Sequence, residues 1–308
     1  MGMATMRVLV TGSNGLVGSR VCALLEERGH SVMGLGRGPR RTGGGYGYVE
    51  CDLTRPQDVA AAIEAAAPEV ILHPASMTEV DACEKDPQLA YEANVNATAA
   101  VARSARKLGA HLVHVSTDYV FDGEAGPYDE EALPNPRGVY ATTKHMAEQV
   151  ARIFVPGCAI ARTAVVYGWP AAGRANFGAW LVGALEKGQR VNLFEDQFVS
   201  ASFADSVAAM VAELGERKLG GIWNTCGGEV VDRVSFGRAL CEVFGFDASL
   251  ITPTRMADMK LPSPRPLRSG LKVDKARAQL AAKPLSLAES LSRFHAAWKA
   301  GSSPSRGG

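Results

Sequence analysis

Short runs rich in β-branched residues alternate with longer alanine-rich segments through the first half of the chain. This alternation is typical of repeated β-α-β units around a parallel sheet. It predicts strands at Arg7–Thr11, Ser31–Leu35, Tyr46–Cys51, Val70–His73, His111–Val115 and Cys158–Arg162. It predicts helices at Leu16–Arg28, Pro56–Ala66, Gln88–Leu108 and Gly138–Phe154. The predicted fold class is therefore α/β, with a Rossmann-type, doubly wound parallel sheet.

The rhythm is less regular after residue 162. The next predicted elements are helix Phe177–Lys187, strand Arg190–Phe194, helix Phe203–Leu214 and strand Gly221–Asn224. Four prolines between residues 252 and 268 predict an ordered loop, because proline interrupts helices and central strands. We expect a first domain over residues 1–162, to which segments near 195–225 return, a smaller C-terminal lobe over 163–300 and a mobile tail over 301–308.

Composition excludes several classes of protein. The 308 residues are 46% apolar and 21% charged, with 33 basic against 32 acidic side chains, so neither disorder nor nucleic-acid binding is indicated. No apolar run reaches the roughly 18 residues of a membrane-spanning helix, and residues 1–7 lack the apolar core of a signal peptide. We therefore expect a cytoplasmic protein with no membrane partner. Six cysteines without Cys-x-x-Cys spacing predict buried thiols and no metal site.

Three glycines follow the first predicted strand and precede the first helix. Gly12 permits a tight turn, Gly15 lets the backbone approach a pyrophosphate, and Gly18 lets the helix pack closely on the strand. In this position the spacing Gly-x-x-Gly-x-x-Gly favours nucleotide binding over an ordinary turn. The cofactor-binding residues predicted here are Gly12, Asn14, Gly15, Leu16, Val17 and Gly18.

The residue that follows the second strand indicates which nucleotide binds. NAD enzymes usually have an acid there, whereas this chain has Arg37, followed by Arg40 and Arg41. A guanidinium suits the 2′-phosphate of NADP, although solvated loop arginines are the alternative. Asp52, with Leu53 beside it, is a candidate for contact with the adenine. A helix-capping role for Asp52 or Thr54 is comparably favoured.

A tyrosine and a lysine lie four residues apart on one predicted helix. The Lys144 ammonium can therefore approach the Tyr140 phenol and lower its pKa from the ordinary value of about 10 toward a value useful in acid-base catalysis. Ser116 and Thr117 fall at the carboxyl end of a predicted parallel strand, the edge where ligands of such sheets collect. The Thr117 hydroxyl can hydrogen-bond a substrate carbonyl there, and a turn-stabilising threonine is the alternative.

Together these residues resemble the extended short-chain dehydrogenase/reductase family, and within it the sugar-nucleotide 4-ketoreductases typified by dTDP-4-dehydrorhamnose reductase. The most specific element is the run Ser-Thr-Asp-Tyr-Val-Phe-Asp-Gly that begins at Ser116. The resemblance implies catalysis by Thr117, Tyr140 and Lys144, with Tyr140 as proton donor and Lys144 also on the nicotinamide ribose. It implies cofactor contacts at Ala75, Asn94 and Ser116, and substrate contacts at Thr78, Asp118, Tyr119, Val165 and Gln197.

The chain departs from the family pattern in three places. His73-Pro74-Ala75 replaces the common Asn-Ala-Ala beside the cofactor. Val165 stands where the rhamnose reductases carry a tryptophan that stacks on the sugar, and Tyr167 and Trp169 are candidates to replace it. The segment Asp196–Ser202 lacks the family's Gly and Pro. The last two departures weaken the assignment of the sugar and leave the predicted hydride chemistry intact.

The sequence thus predicts a reductase that prefers NADPH, accepts NADH as a second choice, and reduces a keto group on a nucleotide-activated deoxysugar bound by the C-terminal lobe. An NAD-dependent sugar-nucleotide epimerase is the alternative within the fold. A non-catalytic regulatory subunit is the alternative from another class, and an intact Thr117, Tyr140 and Lys144 disfavours it. The resemblance also allows a homodimer, which is common in the family.

Overall fold

A seven-stranded parallel sheet forms the centre of the protein in a computed structural model, which describes residues 4–169 and 176–302. The strands are β1 (Arg7–Thr11), β2 (Ser31–Gly36), β3 (Gly47–Glu50), β4 (Val70–His73), β5 (His111–Thr117), β6 (Ala159–Thr163), β7 (Val166–Tyr167), β8 (Val191–Phe194), β9 (Phe198–Val199), β10 (Ser202–Phe203), β11 (Gly221–Asn224), β12 (Val231–Asp232) and β13 (Ile251–Thr254). The sheet order is β11-β6-β5-β4-β1-β2-β3, with every pair parallel. The predicted α/β class and the six strands of the first half are confirmed.

Eleven α-helices lie in the described part of the chain. They are α1 (Leu16–Glu27), α2 (Pro56–Ala66), α3 (Val80–Lys85), α4 (Pro87–Tyr91), α5 (Ala97–Leu108), α6 (Val139–Phe154), α7 (Phe177–Glu186), α8 (Ala204–Glu216), α9 (Arg233–Phe244), α10 (Asp274–Gln279) and α11 (Leu287–Ser302). The prediction of one continuous α-helix over Gln88–Leu108 is wrong, because a π-helical turn, Glu92–Asn96, separates α4 from α5. Such turns are frequent at functional sites.

Helices cover both faces of the sheet. On one face α1 packs against α8, and on the other α2 and α6 pack against α5. Strands β4 and β5 between them are buried along almost their whole length, as parallel strands covered on two faces must be. Each fully buried Val or Leu side chain contributes about 1.5–3 kcal/mol. Strand β11 lies beside β6, so the chain returns to this sheet after residue 163.

A second apolar core lies in the C-terminal half. It is built from α7, α9, α11 and the short strands β7, β8, β10 and β13. The sequence pattern did not reveal α9, α10 or α11. The prediction of a loop over Thr252–Arg268 is wrong for its first residues, because β13 pairs with β8 in a two-stranded sheet. Both strands of such a sheet are edge strands, which can accommodate a proline such as Pro253. Helix α11 continues through Ser302, two residues into the predicted tail, and the remainder of that tail lies outside the described residues.

Candidate active site

The strand order reverses between β1 and β4, and ligands of open α/β sheets bind in the crevice beside such a reversal. The turn after β1 closes with Gly15 N–H donating to Gly12 O at 2.8 Å. Gly12 has a φ of +59°, and a side chain there would meet the Ala75 backbone after β4. A side chain at Gly18 would overlap Gly12 O. The two glycines therefore allow β1, β4 and α1 to meet at one point.

The first turn of α1 opens onto this crevice. Gly15 precedes the helix in extended backbone, and no side chain of the described residues caps it. Leu16 and Val17 follow and are half-buried. The N–H groups of an uncapped first turn and the helix dipole together favour an anion. The glycine turn is therefore suited to a pyrophosphate.

Asn14 holds the loop that follows β2. Its Nδ2 donates to Pro39 O at 3.1 Å and to Tyr48 Oη at 3.0 Å. Its Oδ1 accepts from the Arg41 backbone N–H at 2.8 Å. The side chain of Asn14 thus positions the arginine loop beside the glycine turn. Because its amide is occupied in this way, only the Asn14 backbone remains for a contact with a cofactor.

The arginines of this loop have different surroundings. Arg40 donates to the carbonyl oxygens of Thr42 and Tyr46 at 2.8 and 2.9 Å, and its guanidinium lies 4.0 Å from the centre of the Tyr46 ring. Arg40 therefore stabilises the loop and is not available for a 2′-phosphate. Arg37 and Arg41 have exposed side chains and remain the candidates.

Asp52 lies in a local turn after β3. Its Oδ1 accepts from the backbone N–H of Thr54 at 3.0 Å and from the Thr54 hydroxyl at 2.8 Å, and these bonds lower the pKa of Asp52. The helix-capping alternative is wrong, because α2 begins after Arg55 without a side-chain cap among the described residues. Leu53 packs against the core beneath α2.

Thr117, Tyr140 and Lys144 meet at the carboxyl end of β5. The Tyr140 phenol lies near enough to the Thr117 hydroxyl for that hydroxyl to affect its pKa. The Thr117 hydroxyl donates to Asp118 Oδ1 at 3.1 Å, and its oxygen accepts from the Tyr119 backbone N–H at 3.2 Å. The Lys144 side chain is buried one turn further along α6. The three residues predicted to be catalytic are thus brought together.

The phenol of Tyr140 is held in its neutral form. Burial raises the pKa of Tyr140 above 10, and the negative charge of Asp118 acts in the same direction, whereas the nearby Thr117 hydroxyl opposes the rise. The expected lowering of this pKa by Lys144 is therefore wrong for the protein without ligands, since desolvation of the phenolate dominates. A neutral phenol still carries the proton that a general acid must donate.

Strand β5 holds the Lys144 side chain in place by hydrogen bonding. Its Nζ donates to Val115 O at 2.8 Å and lies 3.5 Å from His114 Nε2. Burial lowers the pKa of Lys144 to about 8, and the charge of Glu148 limits the fall. The ammonium can therefore exchange its proton near neutral pH more readily than an exposed lysine.

Glu148 lies beneath this group, one further turn along α6. Arg162 on β6 donates to its two carboxylate oxygens at 2.9 and 2.7 Å, and the Ser116 hydroxyl donates at 2.6 Å. Burial favours the neutral acid, but these bonds outweigh it and lower the pKa of Glu148 to about 2. The Ser116 hydroxyl therefore faces this ion pair, and only the Ser116 backbone remains for the predicted cofactor contact.

Asn94 sits in the π-helical turn and ties three elements together. Its Oδ1 accepts from Met77 N at 2.8 Å and from the Ser76 hydroxyl at 2.9 Å. Its Nδ2 donates to Thr143 Oγ1 at 3.0 Å, and Thr143 in turn donates to the Tyr140 carbonyl oxygen. With its amide occupied in this way, Asn94 acts on a cofactor site by positioning α6 and the loop after β4.

The substrate residues predicted beside Thr117 cluster on the side of the C-terminal core. Ser269 donates a hydrogen bond to Asp118 Oδ2, and burial raises the pKa of Asp118 to about 6. The Tyr119 ring lies edge-on to Tyr140, with 5.6 Å between centroids. Gln197 is buried, and its Nε2 donates to the Pro266 carbonyl oxygen at 3.4 Å. Thr78, by contrast, is exposed on the loop before α3.

Arg233, at the start of α9, is the residue that the sequence pattern missed. Its Nε donates to Gln197 Oε1 at 2.9 Å, and its guanidinium lies 4.5 Å from the centre of the Phe177 ring. Its Nη1 is shielded from solvent and has no hydrogen-bond partner among the described residues. The ion pairs between described residues include Arg265 with Asp81 at 2.8 Å, but none with Arg233. A half-buried guanidinium with a shielded Nη1 and no ion-pair partner among the described residues favours an anionic ligand.

The position predicted to contact the sugar has unusual backbone. Val165 has a φ of +39°, which is rare for a β-branched residue. The proposal that Tyr167 takes over sugar contact is wrong, because its ring is fully buried in the second core and its hydroxyl donates to Ser290 at 2.7 Å. Trp169 packs at the edge of that core, and its carbonyl oxygen accepts from Arg20.

Comparison with known proteins identifies the family. The family model described as the RmlD substrate binding domain matches residues 6–299. The chain belongs to this family. Among RmlD relatives, the chain is 33% identical over 301 residues to the probable low-salt glycan biosynthesis reductase Agl14 of Haloferax volcanii, covering 95% of this chain and 98% of that protein. It is 30% identical over 272 residues to the dTDP-4-dehydrorhamnose reductase of Mycobacterium tuberculosis, covering 86% and 84%.

Solved structures of RmlD relatives have the same fold. The dTDP-4-dehydrorhamnose reductase of Bacillus anthracis in complex with NADP superposes with a TM-score of 0.84 at 24% identity, covering 94% of this chain and 99% of that one. In residues 4–169 and 176–302, no helix combines the length and apolarity needed to cross a bilayer. The same residues contain no cluster of three His, Cys, Asp or Glu side chains arranged to hold a metal ion.

Proposed function

We propose that this RmlD-family protein uses NADPH to reduce a keto group on a nucleotide-activated deoxysugar. The observation that carries the proposal is the meeting of Thr117, Tyr140 and Lys144 at the same edge of the parallel sheet as the glycine turn. The names of the Haloferax and Mycobacterium relatives, a glycan biosynthesis reductase and a dTDP-4-dehydrorhamnose reductase, support this reaction class.

The residues at the crevice fit a dinucleotide. Gly12 and Gly18 leave no side chain between the turn and α1, and the first turn of α1 can receive a pyrophosphate. Arg37 is exposed beside the adenine-side strand β2, where a guanidinium selects a 2′-phosphate. NADPH is therefore the preferred cofactor, with NADH as the weaker one.

Each catalytic side chain has a separate task. A reduced nicotinamide would supply the hydride to the ketone carbon. Tyr140, kept neutral by burial, donates its proton to the ketone oxygen. The Thr117 hydroxyl hydrogen-bonds the same substrate carbonyl. Lys144, held by Val115 O, provides positive charge one helical turn away, which stabilises the phenolate left after proton transfer.

The C-terminal lobe, residues 163–300, supplies the substrate side. Asp118 and Tyr119 border the catalytic group, and Gln197 and Arg233 extend the polar surface toward the second core. The unpaired guanidinium of Arg233 matches a substrate that carries phosphate. This match favours a sugar nucleotide over a neutral sugar.

The test is to follow NADPH oxidation at 340 nm with a panel of 4-keto sugar nucleotides, using the unmodified protein and the Tyr140→Phe variant. We expect turnover with at least one ketone and its loss in the variant. Absence of turnover with every ketone, together with intact NADPH binding, would refute the proposed reaction and favour a regulatory subunit. Bound NAD that survives purification and interconverts epimers would favour the epimerase.

A further inference from the structure

His73, at the end of β4, is the departure from the family pattern that the proposed reaction leaves unused. Its ring is fully buried between the strand that leads to the glycine turn and the helix that follows Asn94. Nδ1 lies 2.7 Å from Thr11 Oγ1, and Nε2 lies 3.1 Å from Thr98 Oγ1. A single imidazole therefore connects β1 to α5 through both of its nitrogens.

The partners of the two threonines fix the direction of each hydrogen bond. Thr98 donates its hydroxyl proton to the Asn94 carbonyl oxygen at 2.6 Å, so its oxygen accepts from His73 Nε2–H. His73 Nδ1 then accepts from the Thr11 hydroxyl, whose oxygen accepts from the Ala75 backbone N–H at 3.3 Å. Only the neutral imidazole with its proton on Nε2 satisfies all of these bonds at once.

The surroundings of the ring maintain this neutral form. The His114 ring is 5.3 Å away, and Lys144 contributes a positive charge from α6. Burial and this charge both lower the pKa of His73, to about 3. The groups that face His73 are thus two hydroxyls, one imidazole and one ammonium, and none of them favours a second proton on the ring.

The two ends of the chain of bonds reach different parts of the site. Thr11 adjoins Gly12 and Ala75, where β1 and β4 approach most closely. Thr98 adjoins Asn94, whose amide reaches α6 through Thr143. An asparagine at position 73 has one amide group near the Nδ1 position and cannot reach both threonines as an imidazole does.

We infer that His73 is a positioning residue that couples the cofactor turn to the catalytic helix α6, and this inference rests on the proposed reduction. The Thr11 bond holds the turn that binds the dinucleotide. The Thr98 bond holds the Asn94 carbonyl in the π-helical turn, and through it the position of Tyr140. The two functions of the ring are separable because they use different nitrogens.

Two substitutions separate them. In His73→Asn the side-chain oxygen can replace Nδ1 as the acceptor for Thr11, and in His73→Gln the side-chain nitrogen can replace Nε2 as the donor to Thr98. We expect His73→Gln to weaken NADPH binding about 3–10-fold with kcat within twofold, as loss of one hydrogen bond implies. We expect His73→Asn to retain NADPH affinity within twofold and to lose about 3–10-fold in kcat.

NADPH affinity is measured by fluorescence titration without substrate, and kcat at saturating NADPH. His111→Asn and His111→Gln, at the opposite end of β5, are the matched controls and should leave both quantities unchanged. If a His73 variant does not fold, Thr11→Val replaces His73→Gln and Thr98→Val replaces His73→Asn. Equal changes in both quantities, no change, or the reverse pattern would overturn the inference. The affinity arm remains informative if no ketone is reduced, so failure of the proposed function can be distinguished.

Discussion

Glu148 on α6 and Arg162 on β6 form a bidentate ion pair that is fully buried beneath the catalytic group. The Glu148 carboxylate also lies one turn from Lys144, where its charge limits the lowering of the Lys144 pKa by burial. Removing one member of such a pair leaves the other charge buried without compensation, which typically costs about 3–5 kcal/mol.

We therefore expect Glu148→Gln to lower the free energy of unfolding by about 3–5 kcal/mol. Because the pKa of Glu148 falls from 4.5 to about 2 on folding, its carboxylate stabilises the fold above pH 4.5, and this contribution is lost as pH falls toward 2. Urea unfolding at pH 7 and at successively lower pH measures both effects. An unchanged unfolding midpoint at pH 7, or an acid-induced loss of the same size in the variant, would contradict the prediction.

Tyr140→Phe removes the proton donor and little else. The ring stays in its contact with Tyr119, so the thermal unfolding midpoint should be nearly unchanged. The NADPH affinity should remain within twofold of that of the unmodified protein. Turnover should fall about 10²–10⁴-fold, the usual contribution of general acid catalysis. Steady-state kinetics, with thermal unfolding as the control for folding, provide the test. A variant with more than half of the original kcat would show that another group donates the proton.

Arg37 and Arg40 should differ sharply when each is replaced by alanine. Arg37→Ala should weaken NADPH about 10–100-fold and leave NADH unchanged, because a charge-assisted bond to the 2′-phosphate is worth about 1.5–3 kcal/mol. Arg40→Ala should affect both cofactors equally, since Arg40 holds loop carbonyl groups. Calorimetric titration of both cofactors against the three proteins decides this. Equal affinity of the unmodified protein for NADH and NADPH would refute the role of Arg37.

Arg233→Met should affect the substrate and spare the cofactor. Methionine preserves the apolar contact with Phe177 but removes the charge and the bond to Gln197. We expect KM for a phosphate-bearing sugar to rise about 10–100-fold, as loss of a charged hydrogen bond implies, with NADPH affinity unchanged. Gln197→Leu, which leaves the charge in place, is the matched comparison. Equal increases of KM in the two variants would mean that the charge itself contributes nothing.

Val165 predicts that dTDP-4-dehydrorhamnose is a poor substrate. In the rhamnose reductases that the chain resembles, a tryptophan at this position is expected to stack on the sugar. Without it less apolar area is buried on binding, which would cost on the order of 1–3 kcal/mol of binding free energy, equivalent to about 5–150-fold in affinity. Tyr167 does not compensate, because it lies in the second core. Steady-state kinetics with this compound measure the effect. A kcat/KM of about 10⁵ M⁻¹s⁻¹ or more would show that the tryptophan is dispensable.

The central sheet could be predicted because its signals are local. Apolar β-branched runs define β1 to β6, and the glycine spacing predicts the turn that Gly12 and Gly18 form. The convergence of Thr117 with Tyr140 also followed from local rules, namely the end of a strand and the period of a helix. These parts of the site depend on residues close together in the chain.

The remaining parts depend on long-range contacts. Arg233 meets Gln197 across 36 residues, and Ser269 meets Asp118 across 151. No periodicity links such residues. The raised pKa of Tyr140 was likewise missed, because burial can be judged only after the surrounding elements are in place.

The position of β11 also affects how the protein can be divided. β6 carries the chain out of the sheet at Thr163, and the chain re-enters beside β6 at Gly221, after α8 has covered α1. A fragment that ends at residue 162 would therefore expose both the edge of β6 and the apolar face of α1, two surfaces prone to aggregation. The cofactor-binding half completes its own sheet only after β11 has been synthesised.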